Sequence, residues 1–156
     1  MAKRLIGRRA IGRGALAGLV LLVAACSSEP STAPAGPQAT AASDVDWSRA
    51  QTIPVLMTDF AFTPAKLALQ ERTPVRLRLV NNGSGAHDFS APAFFAAAAY
   101  PAGGRAPDGG KVNLAKGETA DLLLMPTAPG TYALECTHFL HALFGMTGEI
   151  DVTAAR

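Results

Sequence analysis

The sequence has 156 residues, of which 14 are Lys or Arg and 12 are Asp or Glu, so its formal net charge is +2. Five of the basic residues lie within the first 13 positions, and the rest of the chain carries nine basic against twelve acidic side chains. That remainder has no basic patch interleaved with aromatic residues, which argues against electrostatic binding to nucleic acid.

Residues 1–25 have the pattern of a signal peptide. An apolar run at 15–25 follows a positively charged segment that contains Lys3, Arg4, Arg8, Arg9 and Arg13. The run is shorter than the roughly 20 apolar residues that cross a bilayer, so a retained transmembrane anchor is the less favoured alternative. We therefore expect residues 1–25 to be removed on export, which places the rest of the chain in the periplasm.

The residues before Cys26 read Val23-Ala24-Ala25, a sequence that resembles a bacterial lipobox. The resemblance implies cleavage before Cys26, acylation of its thiol and attachment of the protein to the membrane by lipid. The alternative is an ordinary signal peptide, which would leave a free thiol near the new terminus. Residues 26–46 are rich in Ser, Ala, Pro and Thr and predict a flexible tether. A tether of that length has a reach of roughly 25 Å.

Residues 47–156 are enough for one domain and too few for two. Turn-forming residues separate short apolar or alternating runs, which predicts an all-β sandwich. These runs are IPVLMTDFAF, PVRLRLVNN, TADLLLMP, GTYALEC and TGEIDVT. Between the second and third of them, Pro92 and Pro101 flank an alanine-rich stretch, which predicts one short helix inserted between strands.

The segment CTHFLHALFGM carries a thiol, imidazoles and a thioether within eleven residues. Cys136, His141 and Met146 follow the spacing C-x4-H-x4-M, which lets one loop surround a single ion. His87, in NNGSGAHDF, is a candidate fourth donor at the end of a strand. Soft sulfur donors together with imidazole favour copper. A buried, unreactive thiol is the alternative for Cys136, which has no disulfide partner if Cys26 is acylated.

From about Ile53 to Val152 the chain resembles the cupredoxin, or blue-copper, family, and the ligand spacing is most similar to that of rusticyanin. The resemblance rests on the His87 segment, on PGTYALEC before the loop and on GMTGEIDV after it. It implies a Greek-key β-sandwich that binds one copper ion, with His87, Cys136 and His141 as the strong ligands and Met146 as a weaker axial one. The implied function is transfer of single electrons without catalysis.

Three residues near the candidate ligands leave alternatives open. His138 also follows the thiol, but it lies so close to Cys136 in sequence that we expect it outside the ligand set; as a ligand it would favour zinc or a differently coloured copper site. Met146 could instead pack in the core. Asp88 stands where the family often has asparagine, which leaves the hydrogen bonding beside the site open.

Apolar residues surround His141 in the sequence, and in cupredoxins such residues form the surface on which redox partners dock. The candidate docking residues are Phe139, Leu140, Leu143 and Phe144. We expect a monomer that exchanges electrons through His141 with a cytochrome, an oxidase or a reductase. A periplasmic copper carrier or resistance protein is the alternative function. A cysteine hydrolase is less favoured, because no helix N-terminus is predicted beside Cys136 to lower the pKa of its thiol.

Overall fold

The computed structural model describes residues 45–156. The predicted signal peptide, Cys26 and nearly all of the predicted tether therefore lie outside the described residues. A 3-10 turn at Trp47–Arg49 precedes the first strand. No helix in residues 45–156 combines the length and the apolar character needed to cross a membrane.

Two five-stranded sheets make up the domain, and the predicted all-β sandwich with one short helix is confirmed. One sheet has the order β2-β1-β4-β8-β6 and the other β3-β10-β9-β5-β7. The strands are β1 (Gln51–Thr58), β2 (Ala61–Thr63), β3 (Lys66–Gln70), β4 (Val75–Asn81), β5 (His87–Ser90), β6 (Ala98–Ala99), β7 (Lys111–Leu114), β8 (Thr119–Pro126), β9 (Gly130–Glu135) and β10 (Thr147–Thr153). The pairs β1–β4 and β3–β10 are parallel, so the chain crosses from sheet to sheet as a Greek-key arrangement requires.

The core lies between the two sheets and follows from the alternation of side chains along the strands. In β4, Val75, Leu77 and Leu79 are buried, whereas Arg76 and Arg78 between them are partly or fully exposed. The facing sheet contributes Ile150 and Val152 from β10, among other buried residues. The period of two that is visible in the sequence thus decides which face of each strand is buried.

The helix α1 (Pro92–Ala96) begins at the predicted proline but ends well before Pro101. It stops because the next residues pair with the sheet: Ala98 and Ala99 align with Pro126 and Met125 of β8. The helix buries Phe94 and Phe95 in the core. Burial of these rings and strand pairing therefore outweigh the helix propensity of the alanines.

Three strand ends meet at one end of the sandwich and carry the candidate ligands. His87 begins β5, Cys136 directly follows β9, and Met146 directly precedes β10. Because β9 pairs with both β5 and β10, these strand ends are neighbours in the second sheet.

Candidate metal centre

The side chains of His87, Cys136 and His141 converge on one point. The Sγ atom of Cys136 lies 3.4 Å from Nδ1 of His141 and 3.9 Å from Nδ1 of His87. The two Nδ1 atoms are 3.2 Å apart. These three donor atoms all lie within 4.8 Å of one another. Two imidazoles and one thiol therefore share a space of the size that a single ion would occupy.

Cys136 is fully buried and is a free cysteine. Burial raises the pKa of its thiol, and the hydrogen bond from the Asp88 backbone N–H to Sγ partly offsets this rise by stabilising the thiolate. The backbone nitrogen of Asp88 lies 3.5 Å from the Sγ atom of Cys136. A positive ion at this position would stabilise the thiolate directly.

His87 is buried, and its outer ring nitrogen is held by a carboxylate. Its Nε2 lies 3.2 Å from Oδ1 of Asp59, in the turn between β1 and β2. The same oxygen accepts a hydrogen bond of 2.8 Å from the backbone N–H of Ser84. That bond is the main cause of the lowered pKa of Asp59. His87 therefore has an anionic partner on one side and its Nδ1 directed at Cys136 on the other.

Asn81 shapes the turn that precedes His87. Its buried amide nitrogen lies within hydrogen-bond distance of the carbonyl oxygens of Gly85, Leu114 and Ala115, at 2.9, 3.1 and 3.0 Å. Its side-chain oxygen accepts from the N–H of Gly83 at 2.9 Å. One side chain thus fixes the path of residues 83–86 and the start of β5.

Backbone hydrogen bonds tie the ligand loop together. The Cys136 N–H donates to the Met146 carbonyl oxygen at 3.0 Å, and the Met146 N–H donates to that of His141 at 2.9 Å. Leu140 has a φ of 63°, which turns the loop back on itself. The side chain of Met146 is fully buried, whereas His141 is partly exposed. Partial burial lowers the pKa of His141, and its neighbours His87 and His138 lower it further.

The structure places His138 outside the convergent group. Its Nε2 lies 3.7 Å from Oδ2 of Asp88, so it faces the buried carboxylate rather than the three donors. Its ring centroid is 5.6 Å from that of His141. His138 is not among the three residues whose donor atoms converge, and its exclusion from the ligand set stays a prediction.

The donor set fits copper by its chemistry. A thiolate and two imidazoles, with a buried thioether attached to the same loop, combine soft and intermediate donors. The family model described as "Cupredoxin-like domain" matches residues 16–152. The chain belongs to this family.

Solved structures resemble this cupredoxin in fold. The dithionite-reduced auracyanin of the photosynthetic bacterium Roseiflexus castenholzii has a TM-score of 0.51 and 16% identity, covering 67% of this chain and 98% of its own. Auracyanin B has a TM-score of 0.51 and 27% identity, and the match covers 76% of this chain and 96% of auracyanin B. A multicopper oxidase has a TM-score of 0.50 and 16% identity, covering 66% of this chain and 44% of its own. A search of curated protein sequences gave no significant match. The resemblance of the ligand loop to that of rusticyanin is not tested by these matches and stays a prediction.

The ligand loop of this cupredoxin carries an exposed apolar patch on both sides of His141 in the chain. Phe139 and Leu143 are 87% and 77% exposed, and Leu140 and Phe144 are exposed as well. Phe60 extends the patch: its ring centroid lies 5.2 Å from that of His141 and 5.5 Å from that of Phe144. The four loop residues singled out from the sequence are thus all at the surface.

Asp59 and Phe60 are the site residues that sequence reasoning missed. They occupy the turn after β1, far from the ligand motifs along the chain. The parallel pairing of β1 with β4 brings this turn to the site, because Met57 near the end of β1 aligns with Asn81 at the end of β4. The carbonyl oxygen of Met57 also accepts a hydrogen bond of 2.8 Å from the N–H of Asn82. No local motif marks this turn; only the pairing of the two strands reveals it.

Proposed function

We propose that this cupredoxin is a mononuclear type 1, or blue, copper protein that carries single electrons between redox partners outside the cytoplasm. The observation that carries the proposal is the convergence of the Sγ atom of Cys136 with the Nδ1 atoms of His87 and His141, which lie 3.2 to 3.9 Å from one another. Family membership and the structural likeness to a dithionite-reduced auracyanin support it.

Four residues would hold the ion: His87, Cys136, His141 and, as a weaker donor, Met146. Copper, when bound, would supply a centre that gains or loses one electron. The chain's part is to hold these donors still and to keep water away. Burial of Cys136, His87 and Met146 excludes solvent, and the two sheets fix the strand ends from which the donors extend. Little movement is then needed when the charge of the site changes.

His141 provides the contact with partners. Of the three convergent donors it is the one that is not buried. The surrounding apolar patch suits a partner whose own redox centre lies beneath an apolar surface, such as a cytochrome, an oxidase or a reductase. A partner on this patch would lie directly over the ring of His141, so we propose that electrons pass there. The chain acts as a monomer and transforms no substrate.

The proposed location is the periplasm, with the domain attached to the membrane through lipid on Cys26. Support comes from the lipobox-like residues before Cys26 and from the polar, proline-containing segment that follows. Labelling of growing cells with a radioactive or clickable fatty acid would test the attachment. We expect the wild-type protein to carry the label and the Cys26→Ala variant to lack it. Label retained by that variant would contradict lipid attachment at Cys26.

Visible and EPR spectra of the full chain after addition of copper(II) test the proposed site. We expect an intense blue colour and the narrow copper hyperfine splitting of a copper–thiolate centre, both abolished in Cys136→Ser. A colourless copper-loaded chain, or a Cys136→Ser variant that colours equally, would contradict the proposal.

Copper handling is the competing function, and a transfer experiment separates the two. Because the thiol and one imidazole are buried, the site is suited to retaining its metal. We expect copper to pass to a chelator over hours, whereas electron exchange with a redox dye is complete in seconds. Rapid release of copper to an acceptor protein would favour the carrier function instead.

A further inference from the structure

The turn between β1 and β2 places a carboxylate directly behind a candidate ligand. Asp59 Oδ1 is 3.2 Å from Nε2 of His87, the ring nitrogen that faces away from Cys136. The carboxylate side chain is 45% exposed, whereas the imidazole is buried. The same oxygen accepts from the Ser84 N–H, which anchors Asp59 to the turn before β5.

On the basis of the function proposed above, we propose that Asp59 is a positioning residue, which fixes the tautomer and ring orientation of His87 so that Nδ1 is the free donor. A neutral imidazole has one N–H and one acceptor nitrogen. The Asp59 carboxylate can only accept, so the proton is held on Nε2 and the lone pair is left on Nδ1. Partners of this kind orient metal-binding histidines and typically change metal affinity 10- to 100-fold when removed.

Gly83 provides independent support, because its backbone lies against this hydrogen bond. A Cβ atom placed on Gly83 would lie 2.3 Å from Nε2 of His87 and 2.8 Å from Oδ1 of Asp59. No side chain therefore fits there without separating the two groups. A Cβ atom on Gly85, two residues later in the same turn, would meet no atom within 4 Å. The turn therefore packs closely against the Asp59–His87 contact at Gly83 and leaves open space for a side chain at Gly85.

Two pairs of substitutions separate positioning from general support of the fold. Asp59→Asn keeps an oxygen that can accept from both Nε2 and the Ser84 N–H, whereas Asp59→Leu removes it. Gly83→Ala disturbs the contact while Asp59 remains, and Gly85→Ala is its matched control.

The first measurement is made on the full chain without copper and does not depend on the proposed function. Nitrogen-15 NMR of the His87 ring reports which nitrogen carries the proton. We expect the proton on Nε2 in the wild type, Asp59→Asn and Gly85→Ala, and loss of that preference in Asp59→Leu and Gly83→Ala. An unchanged tautomer in Asp59→Leu would overturn the proposal, whatever the colour of the copper-loaded protein.

The second measurement is the affinity for copper(I), in competition with a chelator. We expect a loss of about 10- to 100-fold in Asp59→Leu and Gly83→Ala, and less than about 3-fold in Asp59→Asn and Gly85→Ala. The reduction potential of the Asp59→Asn protein should rise. The Asp59 carboxylate stabilises copper(II) more than copper(I), and this substitution removes its negative charge. Equal affinity in all four variants would overturn the inference. If Gly83→Ala does not fold, the two Asp59 variants decide it.

Discussion

The carboxylate of Asp88 joins the two segments that carry the candidate ligands. Its oxygens accept hydrogen bonds from the backbone N–H of Thr137 at 2.9 Å and from the Thr137 hydroxyl at 2.8 Å. Asp88 adjoins His87, and Thr137 adjoins Cys136. The aspartate that follows His87 therefore makes hydrogen bonds of its own, and they connect β5 to the residues that follow β9.

Removal of this bridge should destabilise the domain. Asp88→Ala leaves the Thr137 N–H without its partner, which we expect to lower the free energy of unfolding by about 2 kcal/mol or more. Asp88→Asn keeps one accepting oxygen and should cost less. Urea unfolding of the two variants measures the difference. Equal stability of Asp88→Ala and wild type would show that the bridge contributes nothing.

Met146→Leu tests whether the thioether acts as a weak ligand or as core packing. The two side chains have similar volumes, so the free energy of unfolding should change by less than about 1.5 kcal/mol. The reduction potential should rise, because loss of a donor destabilises copper(II) more than copper(I). Voltammetry of the copper-loaded variant measures this shift. An unchanged potential would assign Met146 to the core alone.

His138→Gln should leave the copper spectrum intact, since His138 faces Asp88 and not the convergent donors. His141→Gln is the matched comparison and should change the visible and EPR spectra strongly. Loss of the blue colour in His138→Gln would mean that the loop rearranges on binding copper and that His138 enters the ligand set.

Leu143→Lys should slow electron exchange with the natural partner without altering the copper spectrum. The side chain is largely exposed within the apolar patch, so a charge there must be desolvated when a partner docks. Gln70→Lys introduces the same charge at the far end of β3 and serves as control. Stopped-flow kinetics compare the two. A normal rate for Leu143→Lys would show that partners bind elsewhere.

The sequence predicted the site residues on the sheet that contains β5, β9 and β10, but it missed those on the sheet that contains β1 and β4. The segment from Cys136 to Met146 is a single loop, so its spacing alone shows that three donors can meet. His87 was recognisable through its turn residues and family resemblance. Asp59 was not, because its relation to His87 depends on the alignment of β1 with β4 and on the path of residues 82–86.

Local features of the chain specify the sandwich, the face that each strand buries and the chemical character of the candidate site, because alternation, turn residues and donor types can be recognised within short segments. Where α1 ends, which group His138 faces and which groups lie behind His87 follow only from the folded domain. Those features depend on contacts between residues far apart in the chain, and the pairing of strands within the folded sandwich sets them.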